Sequence, residues 1–146
     1  MMCITLVIHT YKMNKTVTEV LKVNQAFYET FAAGDYAAME MLWAKVNEVS
    51  VIHPGSVILH GREAVMTSWQ QILENSGGNR VLCSGPKAYI LGASAYVVCD
   101  EVFPEGRLIA TNIFVLEDGD WRMVHHQAGP VNRTGQRMAK NTNSIH

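Results

Sequence analysis

The chain has 146 residues, of which 48% are hydrophobic and 17% charged, and its formal net charge is -1 at pH 7. This length and composition predict one globular domain with a packed core. The low net charge argues against a nucleic-acid partner, which a field of clustered basic residues would have to hold.

Cysteine usage and the chain ends bear on the compartment. The three cysteines, Cys3, Cys83 and Cys99, are odd in number and lack CxxC spacing, which argues against a disulfide framework and a thiolate metal site. The apolar run in residues 1–12 is too short to span a bilayer and lacks the features of a signal peptide. We therefore expect a cytoplasmic protein without a membrane partner.

Three segments are predicted along the chain. Residues 1–15 form an N-terminal extension, which is an accessory strand, a disordered segment or a misassigned start. Residues 16–131 form the domain. Residues 132–146 form a polar tail with little apolar content, which we expect to be mobile.

Two helices are predicted at the start of the domain. Apolar residues recur at helical spacing from Val17 to Phe31, and Thr16 or Thr18 can cap the first turn. Asn24 falls on the apolar stripe, so it should face the interior and need a hydrogen-bond partner there. Asp35 is predicted to cap a second helix, "DYAAMEMLWA", which completes a helical hairpin.

A short strand, a third helix and four strands follow. The segment "NEVSVIHP" alternates as a half-buried strand with His53 on its more apolar side, and "REAVMTSWQQILEN" has helical spacing. From Asn79 onward the period is two, with Gly, Pro-Glu-Gly and Asp-Gly-Asp turns between strands. Helices first and a mostly antiparallel sheet afterwards predict an α+β fold.

This order of elements resembles the SnoaL-like family of the nuclear transport factor 2-like superfamily. The resemblance covers residues 16–131 and is carried by "FYETFAAGDYAAMEMLWA", "VSVIHPGSVILHGREAVMTSW" and "EDGDWRMVHH". It implies a cone-shaped, curved mixed sheet packed on three N-terminal helices, a pocket between them, and a homodimer formed through the sheet. The superfamily includes isomerases, cyclases, dehydratases and association domains, so the fold alone does not give the function.

His53 is the first candidate catalytic residue. The resemblance implies a base at this position, just before the turn, where ketosteroid isomerases carry an Asp. A neutral imidazole, with an ordinary pKa near ~6.5, can accept a proton at physiological pH. The alternative is that His53 only fills the inner face and donates to a backbone carbonyl. His60 immediately precedes Gly61 and a helix, so it is expected in a turn or at the rim.

A reaction at a carbonyl also needs a hydrogen-bond donor for the developing oxyanion. Tyr28 and Asn112 are the predicted donors, and Tyr96 and Asp100 are alternatives. Tyr96 and Asp100 share one strand face, while Ala95, Val97, Cys99 and Glu101 share the other. The sequence leaves open which face points inward.

The predicted pocket is mostly apolar, with a few polar groups. Its predicted lining residues are Phe27, Met66, Trp69, Gln127 and one of His125 and His126. In a regular strand the two histidines point to opposite faces, with Trp121 and Met123 on the side of His125. No metal or cofactor is predicted, because the sequence has no HxH or HxxxH pair and no glycine-rich phosphate loop.

Two functions from different classes fit these residues. The first is a domain that binds a small apolar or carbonyl-containing molecule and transfers a proton next to a carbonyl, as isomerases and cyclases do. His53 is its base, and Tyr28 or Asn112 is its donor to oxygen. The alternative is a non-catalytic dimerisation or association module, favoured by "RLIATNIFVLE", which is apolar on both faces.

Overall fold

The computed structural model describes residues 2–75 and 80–131, with side chains from Ile4 onward. Three helices and six strands follow in the order α1 (Met2–Ala33), α2 (Tyr36–Leu42), β1 (Ser50–Ile52), β2 (Leu59–His60), α3 (Arg62–Asn75), β3 (Leu82–Leu91), β4 (Ser94–Phe103), β5 (Gly106–Glu117) and β6 (Asp120–Pro130). The predicted α+β class is confirmed. The "SGGN" segment predicted to end the third helix and the predicted C-terminal tail lie outside the described residues.

Helix α1 is longer than predicted. It runs without a break from Met2 to Ala33, so a helix start at Thr16 or Thr18 is wrong. The hydroxyls of both threonines donate instead to carbonyls four residues earlier in the same helix. The helix ends at Gly34, whose φ of 66° is a left-handed conformation that favours glycine.

Helix α2 is short and is held at both ends. The carboxylate of Asp35 accepts a hydrogen bond from the backbone N–H of Ala38 at 3.0 Å, which confirms the predicted N-cap. At the other end, the Arg62 guanidinium donates to the carbonyl oxygens of Glu40, Trp43 and Ala44. Arg62 thereby satisfies carbonyls that the end of a helix leaves without partners.

The six strands form one mixed sheet in the order β2-β1-β6-β5-β4-β3. Strand β1 runs parallel to β6, and the other neighbours are antiparallel. Strand β1 is shorter than predicted, and β2 was not predicted because two residues give no readable period. In β4 the buried and partly exposed residues alternate, so one face of the sheet is turned toward the helices.

A β-bulge in β6 changes which residues point inward. Ile113 of β5 pairs with His125 and the next residue, Phe114, pairs with Met123, so one residue of β6 is left over. As a result His126 is buried on the same side as Met123. The predicted grouping of His125 with Trp121 and Met123 is therefore wrong, because it assumed a strand without a bulge.

Aromatic rings fill the space between the sheet and the helices. Phe27, Trp43, Trp69 and Phe114 are fully buried, and Trp69 lies against Phe27 with ring centroids 5.4 Å apart. Such rings contribute large apolar areas to the core. Within the described ranges, the structure has no helix that combines the length and apolar character needed to cross a membrane.

Candidate functional site

Five polar side chains meet inside this aromatic core, and we call them the inner cluster. Each is no more than 2% exposed to solvent. Helix α1 supplies two of them, and β4, β5 and β6 supply one each: Asn24, Tyr28, Glu101, Asn112 and His126. Polar groups this deeply buried are costly unless they bond to one another, so their partners define the site.

The Tyr28 hydroxyl is the centre of the inner cluster. It donates to Oε1 of Glu101 at 2.9 Å and accepts from Nδ2 of Asn112 at 3.1 Å. The Sγ atom of Cys99 lies 3.3 Å from the same hydroxyl oxygen. Tyr28 therefore connects a carboxyl, an amide and a thiol on two neighbouring strands.

Asn112 fixes the protonation pattern of His126. Its Nδ2 also donates to Oδ1 of Asn24 at 2.8 Å, and its Oδ1 lies 2.6 Å from Nδ1 of His126. An amide oxygen only accepts, so Nδ1 of His126 must carry the proton of this bond. In the neutral ring, Nε2 then has a free lone pair, and it lies 3.6 Å from Oε1 of Glu101.

Burial shifts the protonation of the cluster toward uncharged forms. It raises the pKa of Glu101 to about 7, although the hydrogen bond from Tyr28 acts in the opposite direction. It also lowers the pKa of His126 to about 3, with smaller contributions from His53 and His125. Near neutral pH, His126 is therefore uncharged, and Glu101 exchanges between its protonated and ionised forms.

His53 lies beside the inner cluster rather than in it. Its ring packs edge to face on Trp69 at 5.0 Å between centroids, and Trp69 contacts His126 at 5.6 Å on another side. Burial lowers the pKa of His53, so its ring is neutral at physiological pH. One tryptophan thus separates the two histidines.

The partner of His53 is a side chain, not the backbone carbonyl that the sequence suggested as an alternative. Nε2 of His53 lies 3.0 Å from Oγ of Ser68, and the Ser68 hydroxyl donates to the carbonyl of Val65 at 2.7 Å. Because Ser68 has one proton to donate, Nε2 of His53 is the donor between them. This leaves Nδ1 of His53 as the unprotonated nitrogen.

An open cavity of about 670 Å³ lies on the other side of Ser68, and we call it the α3 groove. It is lined by Leu59, His60, Gly61, Arg62, Glu63, Ala64, Thr67, Ser68 and Gln71. His60, expected in a turn or at a rim, lies in β2 and lines this groove. Ser68 lines the groove and bonds to His53, and His53 in turn packs on Trp69 of the aromatic core.

The structure gathers some predicted site residues and separates others. Tyr28, Asn112 and His126 belong to the inner cluster, while Phe27, Met66 and Trp69 are buried core residues. His125 is on the opposite face of the sheet, where its Nδ1 lies 2.8 Å from Oγ of Ser50. The bulge in β6 therefore decides that His126, not His125, faces inward.

Three candidates lie away from the interior. The expectation that Gln127 lines the pocket is wrong, because its side chain is exposed on the outer face, next to buried His126. Tyr96 is on the same outer face, stacked on Tyr89 with centroids 4.6 Å apart. Asp100 forms an ion pair with Arg107 at 2.6 Å there, so neither alternative donor reaches the inner cluster.

Glu101 is the site residue that the sequence did not identify as functional. It shares its strand face with Ala95, Val97 and Cys99, all of which are buried. A carboxyl at the end of such an apolar alternation is the signal that could have identified it.

Among residues 2–75 and 80–131, no group of three or more His, Cys, Asp or Glu side chains is arranged to hold a metal ion.

The sequence profile of the SnoaL-like domain matches residues 20–132. F-box protein SKIP8 of Arabidopsis thaliana is 27% identical over 115 residues, which are 77% of this chain and 50% of that protein. The chain thus spans about half the length of this curated relative.

Two solved structures of similar sequence share the fold. One, from Streptomyces avermitilis, is provisionally assigned as a dehydratase of the nuclear transport factor 2-like family, with 28% identity, a TM-score of 0.75 and coverage of 82% of this chain and 98% of that one. The other, from Thiobacillus denitrificans, is provisionally assigned as a calcium/calmodulin-dependent protein kinase type II association domain. It has 28% identity, a TM-score of 0.69 and coverage of 75% and 93%.

Proposed function

The chain belongs to the SnoaL-like domain family, and we propose that it binds a small carbonyl-containing molecule and transfers a proton at the carbon next to the carbonyl. One observation carries this proposal: a carboxyl group, Glu101, is buried in contact with Tyr28 and His126. Burying a carboxyl in an apolar core costs free energy, and ionisable groups with shifted pKa values cluster at functional sites.

Glu101 has the properties of a general base at neutral pH. Its pKa is raised to about 7, and a base whose pKa is near the working pH is available in its ionised form while still binding a proton strongly. In the proposed step, the Glu101 carboxylate takes a proton from the carbon, and the C–H electrons form an enolate. The same carboxyl can return the proton to another atom of the substrate.

Tyr28 and Asn112 are the proposed donors to the enolate oxygen. In the free protein the Tyr28 hydroxyl donates to Glu101 and accepts from Asn112. Once the Glu101 carboxylate has taken up the substrate proton, the Tyr28 hydroxyl can turn from Glu101 to the enolate oxygen and donate where the negative charge develops. Dehydration and isomerisation both begin with this proton abstraction, and the provisional dehydratase assignment of the Streptomyces avermitilis protein supports the same class.

The proposed route for the ligand starts in the α3 groove and passes His53. Side chains such as Phe27 and Trp69 fill the interior, so binding requires them to move. His53, with its unprotonated Nδ1, is the second possible base on this route. The two bases differ in pH dependence: a rate that depends on Glu101 rises through pH about 7, and one that depends on His53 rises below pH 6.5.

Proton exchange in D₂O tests this function without knowledge of the product. A panel of β-hydroxy carbonyl and 1,3-dicarbonyl compounds, chosen by the rise in melting temperature that they cause, is incubated with the protein, and NMR follows loss of the C–H signal next to the carbonyl. We expect exchange with the native protein and a loss of about 100-fold or more in Glu101→Gln.

Two further variants complete the test. Glu105→Gln changes a carboxylate in an exposed turn and should exchange at the native rate. His53→Gln should keep the pH profile centred near 7 if Glu101 is the base. Equal rates in the native protein and in Glu101→Gln, or no exchange with any compound that binds, would contradict the proposal.

A second candidate function is association through the outer face of the sheet. Tyr89, Tyr96, Ile113 and His125 are partners in register across β3, β4, β5 and β6, and nearby Ile109 is 44% exposed. An apolar outer face suits a homodimer. Light scattering on the native protein and on Ile109→Lys tests it: a dimer that the substitution splits supports association, and a monomer in both contradicts it.

A further inference from the structure

Cys83 and Cys99 are neighbours on two adjacent strands. Cys83 lies on β3, at the edge of the sheet, and its partner in register is Glu101, two residues beyond Cys99 on β4. On the inner face of the sheet, Sγ of Cys83 accepts from Nδ2 of Asn24 at 3.5 Å, and Sγ of Cys99 lies 3.3 Å from the Tyr28 hydroxyl oxygen. Both cysteines are free, with Cys83 partly exposed and Cys99 buried.

The strand pairing between the two cysteines is irregular. Register shifts between Ser84 and Lys87, so two residues of β3 lie opposite Cys99. Diagonal neighbours on regular antiparallel strands lie roughly 7–8 Å apart, slightly more than most disulfides allow. A bulge bends its strand and increases the local twist, so a small movement of β3 at this irregular point would bring the two sulfur atoms within bonding distance.

The two thiols have different surroundings. The neighbouring Cys99 thiol and Nδ2 of Asn24, which lies 3.5 Å away, lower the pKa of the Cys83 thiol. Cys99 is 4% exposed, and the neighbouring Cys83 thiol together with burial raises the pKa of the Cys99 thiol. A thiolate is the reactive form of cysteine, so Cys83 is the thiol that reacts first.

We propose that Cys83 and Cys99 form a peroxide-reactive dithiol that closes to a disulfide. In the first step the Cys83 thiolate attacks one oxygen of a hydroperoxide, the O–O bond breaks, and Cys83 becomes a sulfenic acid, while the departing alkoxide or hydroxide takes up the proton that the Cys83 thiol released. In the second step the Cys99 sulfur displaces the sulfenic hydroxyl, which leaves as water with the thiol proton. The two cysteines lose two electrons, and the hydroperoxide is reduced to water and an alcohol, or to water alone if it is hydrogen peroxide.

The disulfide would change the inner cluster that it borders. Sγ of Cys99 lies 3.3 Å from the Tyr28 hydroxyl, and Sγ of Cys83 accepts from Asn24. Moving both sulfur atoms into one bond alters these two contacts. The chemistry of the dithiol does not depend on proton transfer at Glu101, so either proposal can fail without the other.

Peptide mapping tests the dithiol directly. Hydrogen peroxide is added to the folded protein carrying Cys3→Ser, remaining thiols are blocked, and trypsin is applied. Cleavage at Arg80, Lys87 and Arg107 places the two cysteines on separate peptides, residues 81–87 and 88–107. We expect these two peptides to be linked by a disulfide and to separate on reduction. The linked pair should form about 10-fold or more faster in folded than in urea-unfolded protein.

Single cysteine variants test the order of the steps. In Cys99→Ser, dimedone, which traps sulfenic acid, should label Cys83; in Cys83→Ser, the buried Cys99 should stay unlabelled. Circular dichroism checks that each variant folds. The peptide mapping uses a chain that keeps both Cys83 and Cys99, so its result does not depend on either variant. Oxidation of Cys83 to sulfinic acid without linked peptides, equal rates in folded and unfolded protein, or equal labelling of the two cysteines would overturn the proposal.

Discussion

Oε1 of Glu101 lies 3.6 Å from Nε2 of His126, and both side chains are only 2% exposed. If both groups were charged, they would lose the solvation that water gives them. The attraction between the two charges at 3.6 Å would offset only part of that loss. Burial accordingly raises the pKa of Glu101 and lowers that of His126. Below pH 7 the contact is therefore one between two uncharged groups, the protonated carboxyl of Glu101 and the unprotonated Nε2 of His126.

The stability of the protein should depend on pH through Glu101. Its pKa is about 7 when folded and near 4.5 when unfolded, so between these values the folded state holds a proton that the unfolded state has lost. The contribution of Glu101 is then present below pH 4.5 and is lost as pH rises through 7. Relative to Glu101→Gln, the native protein should lose on the order of 3 kcal/mol of unfolding free energy across this window, measured by urea denaturation.

His126→Asn should show the opposite trend in the same experiment. The pKa of His126 falls to about 3 on folding, so its contribution to stability is present above the unfolded value of 6.5 and is lost as pH falls through 3. The native protein should therefore gain stability relative to this variant as pH rises from 3 to 6.5. Parallel pH curves for the native protein and both variants would show that neither group is perturbed.

The neutral ring of His126 should carry its proton on Nδ1. Its 2.6 Å contact with Oδ1 of Asn112 requires a donor at that nitrogen. Long-range ¹H–¹⁵N NMR, with the ring assigned by comparison with His126→Asn, distinguishes the protonated nitrogen from the unprotonated one. A proton on Nε2 instead would mean that the amide of Asn112 is turned round and that Glu101 faces a donor.

Removing the hydroxyl of Tyr28 should destabilise the protein. Tyr28→Phe leaves a buried carboxyl and a buried amide each without one partner, and we expect a loss of about 1–3 kcal/mol in unfolding free energy. Tyr11→Phe removes the same atom from a side chain that is 70% exposed and should have no measurable effect. Equal stabilities of the two variants would show that the Tyr28 hydrogen bonds contribute nothing net.

Glu117 should stabilise the segment that leads from α2 into β1. Its carboxylate accepts from the backbone N–H groups of Lys45, Val46 and Asn47, and these bonds lower its pKa to about 2. The stabilisation is present above pH 4.5 and is lost as pH falls through 2. Because solvent screens this carboxylate, Glu117→Gln should cost only about 1 kcal/mol.

Amide hydrogen exchange locates the effect of Glu117→Gln. Exchange at residues 45–47 should become faster, while Glu105→Gln, in an exposed turn, should leave it unchanged. Unchanged exchange in both variants would mean that the carboxylate does not hold this segment in solution.

Periodicity and capping predicted much of the fold. The cap at Asp35, the third helix and the four long strands follow from local patterns, and Asn24 is buried with partners as its place on the apolar stripe required. The local patterns did not predict strand β2 or the extension of α1 to Met2. A two-residue strand has no period, and the first turns of α1 have exposed apolar side chains with no amphipathic pattern.

The site was predicted only in part, because its geometry depends on features with no local signature. Tyr28 and Asn112 were identified, yet the choice between His125 and His126 depends on a bulge created by pairing with β5. Glu101 was overlooked because alternation alone does not tell which face of β4 is inside. Which face of a strand points inward is set by tertiary packing, and that packing depends on residues throughout the chain.

¹³C NMR of the carboxyl groups, in protein labelled at glutamate, shows directly whether Glu101 holds an exchangeable proton at neutral pH. Comparison with Glu101→Gln assigns the signal, and its chemical shift is followed as a function of pH. We expect a midpoint near pH 7, because burial raises the pKa of Glu101. A midpoint at or below 4.5, the ordinary value for glutamate, would contradict it.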